Sequence, residues 1–445
     1  MKNENIYSKP VTLKNVLKFA IPTIIMTVFM SFYTMVDGLF VSNLIGTDSL
    51  SAINLTAPVI SIVTAVSTML ATGGSAVIMK KVGEKKTREA NEDFTFLIIV
   101  NIIVGLMMSC FGYLIMDSLF ESMDLSEKVF GYCHTYLSRY LIFTVPILLM
   151  NNFTLYMIAA GKSALSMICS VAGGVLNMIL DYVFISVLDM GIAGAAIATG
   201  LGYSVTAAVG FLIFSKKTSL LHFVKPKCRK STLKNAATNG SSEMATALVT
   251  GIVTMMFNYT MLKYVGENGV AAITIIMYVL MFATSLYTGY SYGVAPMISF
   301  YYGEQNNIKL KKLIRLSLKI IGIVAVTATV LSVILTKPLV SVFSRPGNEV
   351  YDLAVTGNRI CSAALIFIGF NVFASGMFTA LSNGLISVVL AFSRSFVFMI
   401  IAMLVLPALL GVNGVWLANP VAEFSAICLS AFMFIKYRKK YNYYK

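Results

Sequence analysis

Apolar and polar positions along this chain fall in long blocks. They do not follow the short periods of a helix or strand at the surface of a soluble domain. Apolar stretches recur near 15–41, 52–79, 94–116, 136–160, 163–188, 192–214, 236–261, 269–300, 313–335, 359–381, 385–410 and 414–435. A run of about 20 such residues in helical form crosses a hydrocarbon core of about 30 Å, so the pattern predicts twelve spanning helices. The segments between them are short, and none is long enough for a soluble domain. Composition agrees, with 58% hydrophobic and 12% charged residues and a mean hydropathy of +0.82. The expected fold class is an all-α polytopic membrane protein.

The formal net charge of +15 changes this picture only through its distribution. Lys2, Lys9, Lys14 and Lys18 precede the first span, which is too long for a cleaved signal segment and reads as the first membrane helix. Basic residues then return on alternate connections: Lys80 to Arg88, Lys216 to Lys234, Lys309 to Lys319, and Lys436 to Lys445. The intervening connections carry acids instead, as at Asp117, Glu121, Asp124 and Glu127. Lys and Arg concentrate on the cytoplasmic side of multi-pass proteins, so both termini are expected in the cytoplasm of a plasma-membrane protein. The charge sets topology in a lipid bilayer, and a nucleic-acid partner is not expected.

The chain also repeats itself. At an offset of 220 residues, IGTDSLSAI (45–53) lies on VGENGVAAI (265–273), and GIAGAAIA (191–198) on GVNGVWLA (411–418). Arg139 falls on Arg359, Asn151 on Asn371, and glycines coincide at 46/266, 73/293, 83/303, 191/411 and 194/414. Two copies of six helices share one orientation, so a pseudo-two-fold axis along the membrane normal must relate them. The expected organisation is an N-terminal lobe at 1–214, a basic cytoplasmic linker at 215–235 and a C-terminal lobe at 236–445. Parallel repeats of this kind build transporters that rock two bundles about a central site.

Four carboxylates fall inside the spans: Asp37, Asp181, Glu243 and Glu423. A charged group at the bilayer centre costs about 2.5–3.5 kcal/mol on insertion scales and marks a functional position. The repeat places Phe257 opposite Asp37 and Ile401 opposite Asp181, so the N-terminal acids have no counterpart in the second copy. Asn177 and Asp181 are one helical turn apart on one face. Asn151 and Thr199 add oxygen donors in the same half. Oxygen groups around carboxylates suit a hard cation such as Na⁺ at Asp37, Asn177, Asp181 and Thr199, and the same carboxylates can take up a proton. Glu243, near the start of its span, reads as an acid that stabilises a helix N-terminus. Glu423 follows Pro420 and has two readings, a cavity charge for a cationic substrate or a partner of Arg394. Tyr33, Met35 and Tyr203 lie near the acidic helices in sequence and are candidates for an adaptable substrate cavity. Pro22, Pro58, Pro146, Pro296 and Pro407 are candidate bending points.

Other chemistry finds little support. Cys110, Cys133, Cys169, Cys228, Cys361 and Cys428 have no metal-binding spacing and read as packing residues. His134 and His222 are the only histidines, far apart and in expected loops. No nucleophile, base and metal combination appears, so neither an enzyme nor a cofactor is expected.

The stretches VDGLFVSNLIG (36–46), LNMILDYVFI (176–185) and GIAGAAIAT (191–199), within two six-helix repeats, resemble the multidrug and toxic compound extrusion (MATE) family over essentially the whole chain. The likeness is greater to its DinF-like and MepA-like bacterial members than to the NorM-like ones. The resemblance implies a two-lobed exporter of amphipathic organic cations, driven by exchange for H⁺ or Na⁺. It also implies a cation-coupling site in the N-terminal lobe at Asp37, Asn151, Asn177, Asp181 and Thr199. A branch of the family that relies on C-terminal acids fits less well, because span 359–381 has no acid. The rival reading is a flippase or exporter of a lipid-linked or other amphipathic metabolite in the same superfamily.

Overall fold

The computed structural model of the chain describes residues 6–44, 47–123 and 125–443. Lys2, Ile45, Gly46, Asp124 and Lys445, which enter the sequence reading, lie outside the described residues. The first six spans are α1 (Leu13–Leu44), α2 (Thr47–Gly83), α3 (Thr87–Glu121), α4 (Glu127–Ile142 and Thr144–Ala159), α5 (Ser163–Asp181, continued by the π turn Tyr182–Val187) and α6 (Gly191–Phe214). The second six are α7 (Lys230–Tyr264), α8 (Glu267–Gly303), α9 (Asn307–Ile334), α10 (Glu349–Ala380), α11 (Gly384–Leu410) and α12 (Val412–Tyr441). Eleven helices among the described residues can each cross a membrane, and the bent pair of α4 makes the twelfth span. The protein is an all-α polytopic membrane protein of two repeated six-helix lobes.

Helices run beyond the apolar stretches that signal them, because backbone hydrogen bonding continues into polar turns after the hydrophobic pattern has ended. α4 bends by 52° at Phe143, between its two segments. Pro146 lies in the first turn of the second segment, where its missing N–H costs nothing. Pro22, Pro58, Pro296, Pro407 and Pro420 are carried inside continuous helices. His134 belongs to the first segment of α4, not to a loop.

The lobes meet mainly through α1 against α8 and α2 against α7, with α2 and α8 crossing near the face that carries the basic residues. Small residues permit this approach. A Cβ on Gly73 would lie 2.7 Å from the Gly240 nitrogen, and one on Gly293 2.8 Å from the Ala20 Cα. Gly73 and Gly293 are equivalent in the repeat, and each serves the contact of its own copy. Thr27 Oγ1 donates to the Ser285 carbonyl at 2.8 Å, joining α1 to α8.

The segment joining the lobes is strapped down. The His222 and Val224 amides donate to Asn91 Oδ1 (3.0 Å) and Thr95 Oγ1 (3.1 Å) of α3. Arg229 reaches Asp93 at 2.8 Å and Glu92 at 2.6 Å, and Lys81 of α2 also pairs with Asp93, whose side chain is fully buried.

Candidate functional site

The acid site of the N-terminal lobe is built by a close crossing of two helices. A Cβ on Gly173 would stand 2.6 Å from the Gly202 carbonyl oxygen, and one on Gly202 2.7 Å from that of Gly173. Only glycine lets α5 and α6 approach this closely, and one turn further Asn177 meets Thr199. Asn177 Nδ2 donates to Thr199 Oγ1 at 3.3 Å, and Thr199 donates to the Ala195 carbonyl at 3.0 Å. These bonds use the donors and leave the acceptors.

Asn177 and Asp181 are each about 1% exposed, and Asp37 of α1 is half-buried. The Asp37 and Asp181 carboxyl groups lie close enough to interact directly. Four buried oxygens, Asp37 Oδ1, Asn177 Oδ1 and both of Asp181, have no donor among the described residues. No Lys, Arg or His forms an ion pair with either acid among the described residues. Two acceptor groups placed side by side need a proton or a cation between them, since unpaired buried charge is costly. The adjoining cleft, lined by Met30, Tyr33, Met150, Asn177 and Tyr203, measures about 10 Å³. That is room for an ion or a single water, not for an organic molecule.

Regular α-helix ends at Asp181 and the π turn Tyr182–Val187 begins, closed by the Leu188 amide on the Val183 carbonyl at 2.9 Å. π turns recur at functional sites because the wider turn breaks the regular ladder. Tyr33 and Tyr136 lie within electrostatic reach of both acids, and Tyr203 within reach of Asp37. Tyr140 stacks on Tyr136 with ring centroids 6.3 Å apart. Tyr136 and Tyr140 escaped the sequence reading, although their spacing of four places them on one helical face. Met35 is half-buried on α1, two residues before Asp37.

Asn151 stands apart from this group. Its amide donates to Ser67 of α2 at 2.9 Å and to the Ile147 carbonyl, and no hydrogen bond joins it to Asp37 or Asp181.

The C-terminal lobe holds a different arrangement. Asn371 of α10 donates to Glu423 Oε2 at 2.7 Å and to its carbonyl at 3.0 Å, while Ser430 donates to Asn371 Oδ1 at 2.9 Å. Arg394 Nε lies 3.8 Å from Glu423 Oε1. Of the two readings of Glu423, the pair with Arg394 is the one present in this geometry. Arg394 sits in a second π turn, Ser393–Phe398. Glu243 corrects the sequence reading: α7 begins at Lys230, so Glu243 is several turns inside the helix and cannot serve its N-terminus. The polar residues 230–235, expected as the end of the linker, already belong to α7, and the small residues that follow form the face that packs on α2. Glu243 instead lines a cavity of about 40 Å³ between the lobes, with Thr72 and Ser75 of α2 and Tyr292 of α8.

Two repeated helical lobes around intramembrane polar sites are the architecture of a membrane transporter. The MatE family model matches residues 22–183 and 244–405, one copy per lobe, and the chain belongs to that family. Curated relatives include the multidrug export protein MepA of Staphylococcus haemolyticus, 23% identical over 441 residues, covering 98% of this chain and 96% of the relative. MepA of Staphylococcus aureus is 24% identical over 442 residues, with the same coverage. Among solved structures, the outward-facing conformation of a multidrug resistance MATE family transporter superposes with a TM-score of 0.92 at 24% identity, over 99% of each chain. A MOP superfamily transporter from Pyrococcus furiosus, described as having a binding pocket of reverse polarity, superposes with a TM-score of 0.89 at 23% identity, again over 99% of each chain.

Proposed function

We propose that this chain is a secondary antiporter that exports amphipathic organic cations in exchange for H⁺ or Na⁺. Its lobes are 1–214 and 236–445, joined by 215–235. It sits in the plasma membrane with both termini in the cytoplasm, an orientation supported by the basic residues at one face. The observation that carries the reading is the pair Asp37–Asp181, two adjacent carboxyl groups with unpartnered oxygens and no cationic partner among the described residues.

Asp37, Asn177, Asp181 and Thr199 form the coupling site, and Asn151 supports it through α2. H⁺ or Na⁺ enters from outside and neutralises the acids, so a cationic substrate is held less strongly and leaves. The lobes then rock, and the ion is released inside. Tyr33, Met35 and Tyr203 offer aromatic and thioether surface to the apolar body of the substrate. Exchange requires that ion and substrate each prefer a different state, since a ligand with equal affinity for both shifts nothing.

Adding a lipophilic organic cation to the purified protein in weakly buffered detergent, with pH and Na⁺ electrodes present, tests competition for the acids directly. Release of H⁺ or of Na⁺, abolished in Asp37→Asn and Asp181→Asn, is the expected result. Substrate binding without release of either ion in the wild type would contradict the reading. The rival, export of a lipid-linked or other amphipathic metabolite, draws on Arg394 as a basic group inside the C-terminal lobe, but Glu423 offsets that charge.

A further inference from the structure

A second cavity, of about 170 Å³, opens at the basic face between the lobes. Three lysines converge on it from separate parts of the chain: Lys9 before α1, Lys18 in its second turn, and Lys162 in the turn between α4 and α5. The other lobe supplies Tyr301 and Met297 of α8. Asn15 fixes the shape of the rim by donating to the Pro10 carbonyl at 2.9 Å.

These lysines differ from the basic residues beside them. Lys81 and Arg229 are saturated by Glu89, Glu92 and Asp93. Lys9, Lys18 and Lys162 join no ion pair among the described residues. Lys162 is also half-buried, and burial together with the Lys216 charge pushes its ammonium below the usual lysine range. Lys9 and Lys18 reach in from exposed positions, and three cations around a concave space whose lining holds no acid among the described residues are arranged for an anion. The apolar walls, Phe19, Met297 and Tyr301, suit an anion attached to an apolar body. Basic pockets between membrane helices at the cytoplasmic surface take anionic lipid headgroups for this reason.

We infer that this cavity is a phosphate-anion site for the headgroup of an anionic glycerophospholipid, held by Lys9, Lys18 and Lys162 at the seam between the lobes. Its walls come from both lobes, so the site is complete only while the basic face is closed. Occupancy therefore favours that state over the one open to the same face. The site is separate from the acids of α1 and α5, and its occupant is not a transported substrate.

The test uses full-length protein, delipidated in an uncharged detergent, titrated with short-chain phosphatidylglycerol, short-chain phosphatidylcholine or inorganic phosphate and followed by native mass spectrometry. Phosphatidylglycerol is expected to bind at one site, and K9Q/K18Q/K162Q to weaken it roughly 100-fold. The variant K225Q/K227Q/K230Q removes equal charge from exposed positions on the same face and is expected to bind as the wild type does. If inorganic phosphate binds as tightly as the lipid, the anion site stands and its source is free phosphate. Equal binding by K9Q/K18Q/K162Q and wild type, or equal losses in both triple variants, would overturn the assignment. Should the first triple variant fail to fold, K162Q alone is expected to weaken binding about fivefold, and unchanged binding would overturn it equally.

Discussion

Gly83 of α2 and Gly303 of α8 make reciprocal contacts across the seam between the lobes: a Cβ on either would overlap a carbonyl of the other helix, Phe300 for Gly83 and Lys80 for Gly303. The two are equivalent positions of the internal repeat, so the pseudo-two-fold axis runs between them. The lobes close at the basic face because these positions carry no side chain.

Gly303→Val should therefore force the helices apart there. Overpacking costs about 1–3 kcal/mol, which shifts a two-state balance by roughly 5- to 150-fold. Distances between spin labels on α2 and α8, in a cysteine-free background because all six cysteines are free thiols, should lengthen at the basic face. An unchanged distance distribution would count against closure by this crossing.

Tyr7 bridges both lobes at the same face. Its hydroxyl donates to the Ala159 carbonyl at 2.6 Å, its own carbonyl accepts from Tyr301 at 3.2 Å, and its ring stacks on Phe300 with centroids 4.9 Å apart. Tyr7→Phe keeps the stack and loses one hydrogen bond, worth about 0.5–1.5 kcal/mol, so the population open at the basic face should rise roughly 2- to 12-fold. Labelling rates of a cysteine placed at Ser163 would measure this, and no change would remove Tyr7 from the closure.

The C-terminal pair should serve stability more than coupling. Arg394→Met and Glu423→Gln each leave a buried group without its partner, at a cost of about 3–5 kcal/mol, and the double variant should cost less than the two together. Thermal unfolding in detergent reads the cycle. Additive losses would mean that the two side chains act independently.

Thr199→Val separates the two possible ions. The hydroxyl can contribute a ligand to Na⁺ but has no part in protonating a carboxylate. Na⁺-driven exchange should fall about tenfold, the worth of roughly one polar contact, while H⁺-driven exchange should change little. Equal losses under both gradients would assign Thr199 to helix packing alone.

Most of the fold and the two N-terminal acids are legible in the sequence because membrane insertion writes a strong signal. Each span needs its apolar run, and each acid within one stands out, as Asp37 and Asp181 do. What escapes is what the apolar pattern cannot express. Tyr7 lies in a polar leader too short to signal burial, and Glu243 follows a polar stretch that is helical because it packs on α2. The π turn after Asp181 depends on tertiary packing, and Tyr136 and Tyr140 read as ordinary members of an amphipathic helix. Asn371 gains its meaning only through Glu423, 52 residues away.

In the proposed mechanism Asp37 and Asp181 couple an ion gradient to export. The most direct measurement is transport of a fluorescent organic cation by proteoliposomes under an imposed pH or Na⁺ gradient, with wild type and Asp181→Asn side by side. Dye is expected to move against its own gradient under one of the two ion gradients, and not to move in Asp181→Asn at equal reconstitution. Gradient-driven transport that survives in Asp181→Asn would contradict it.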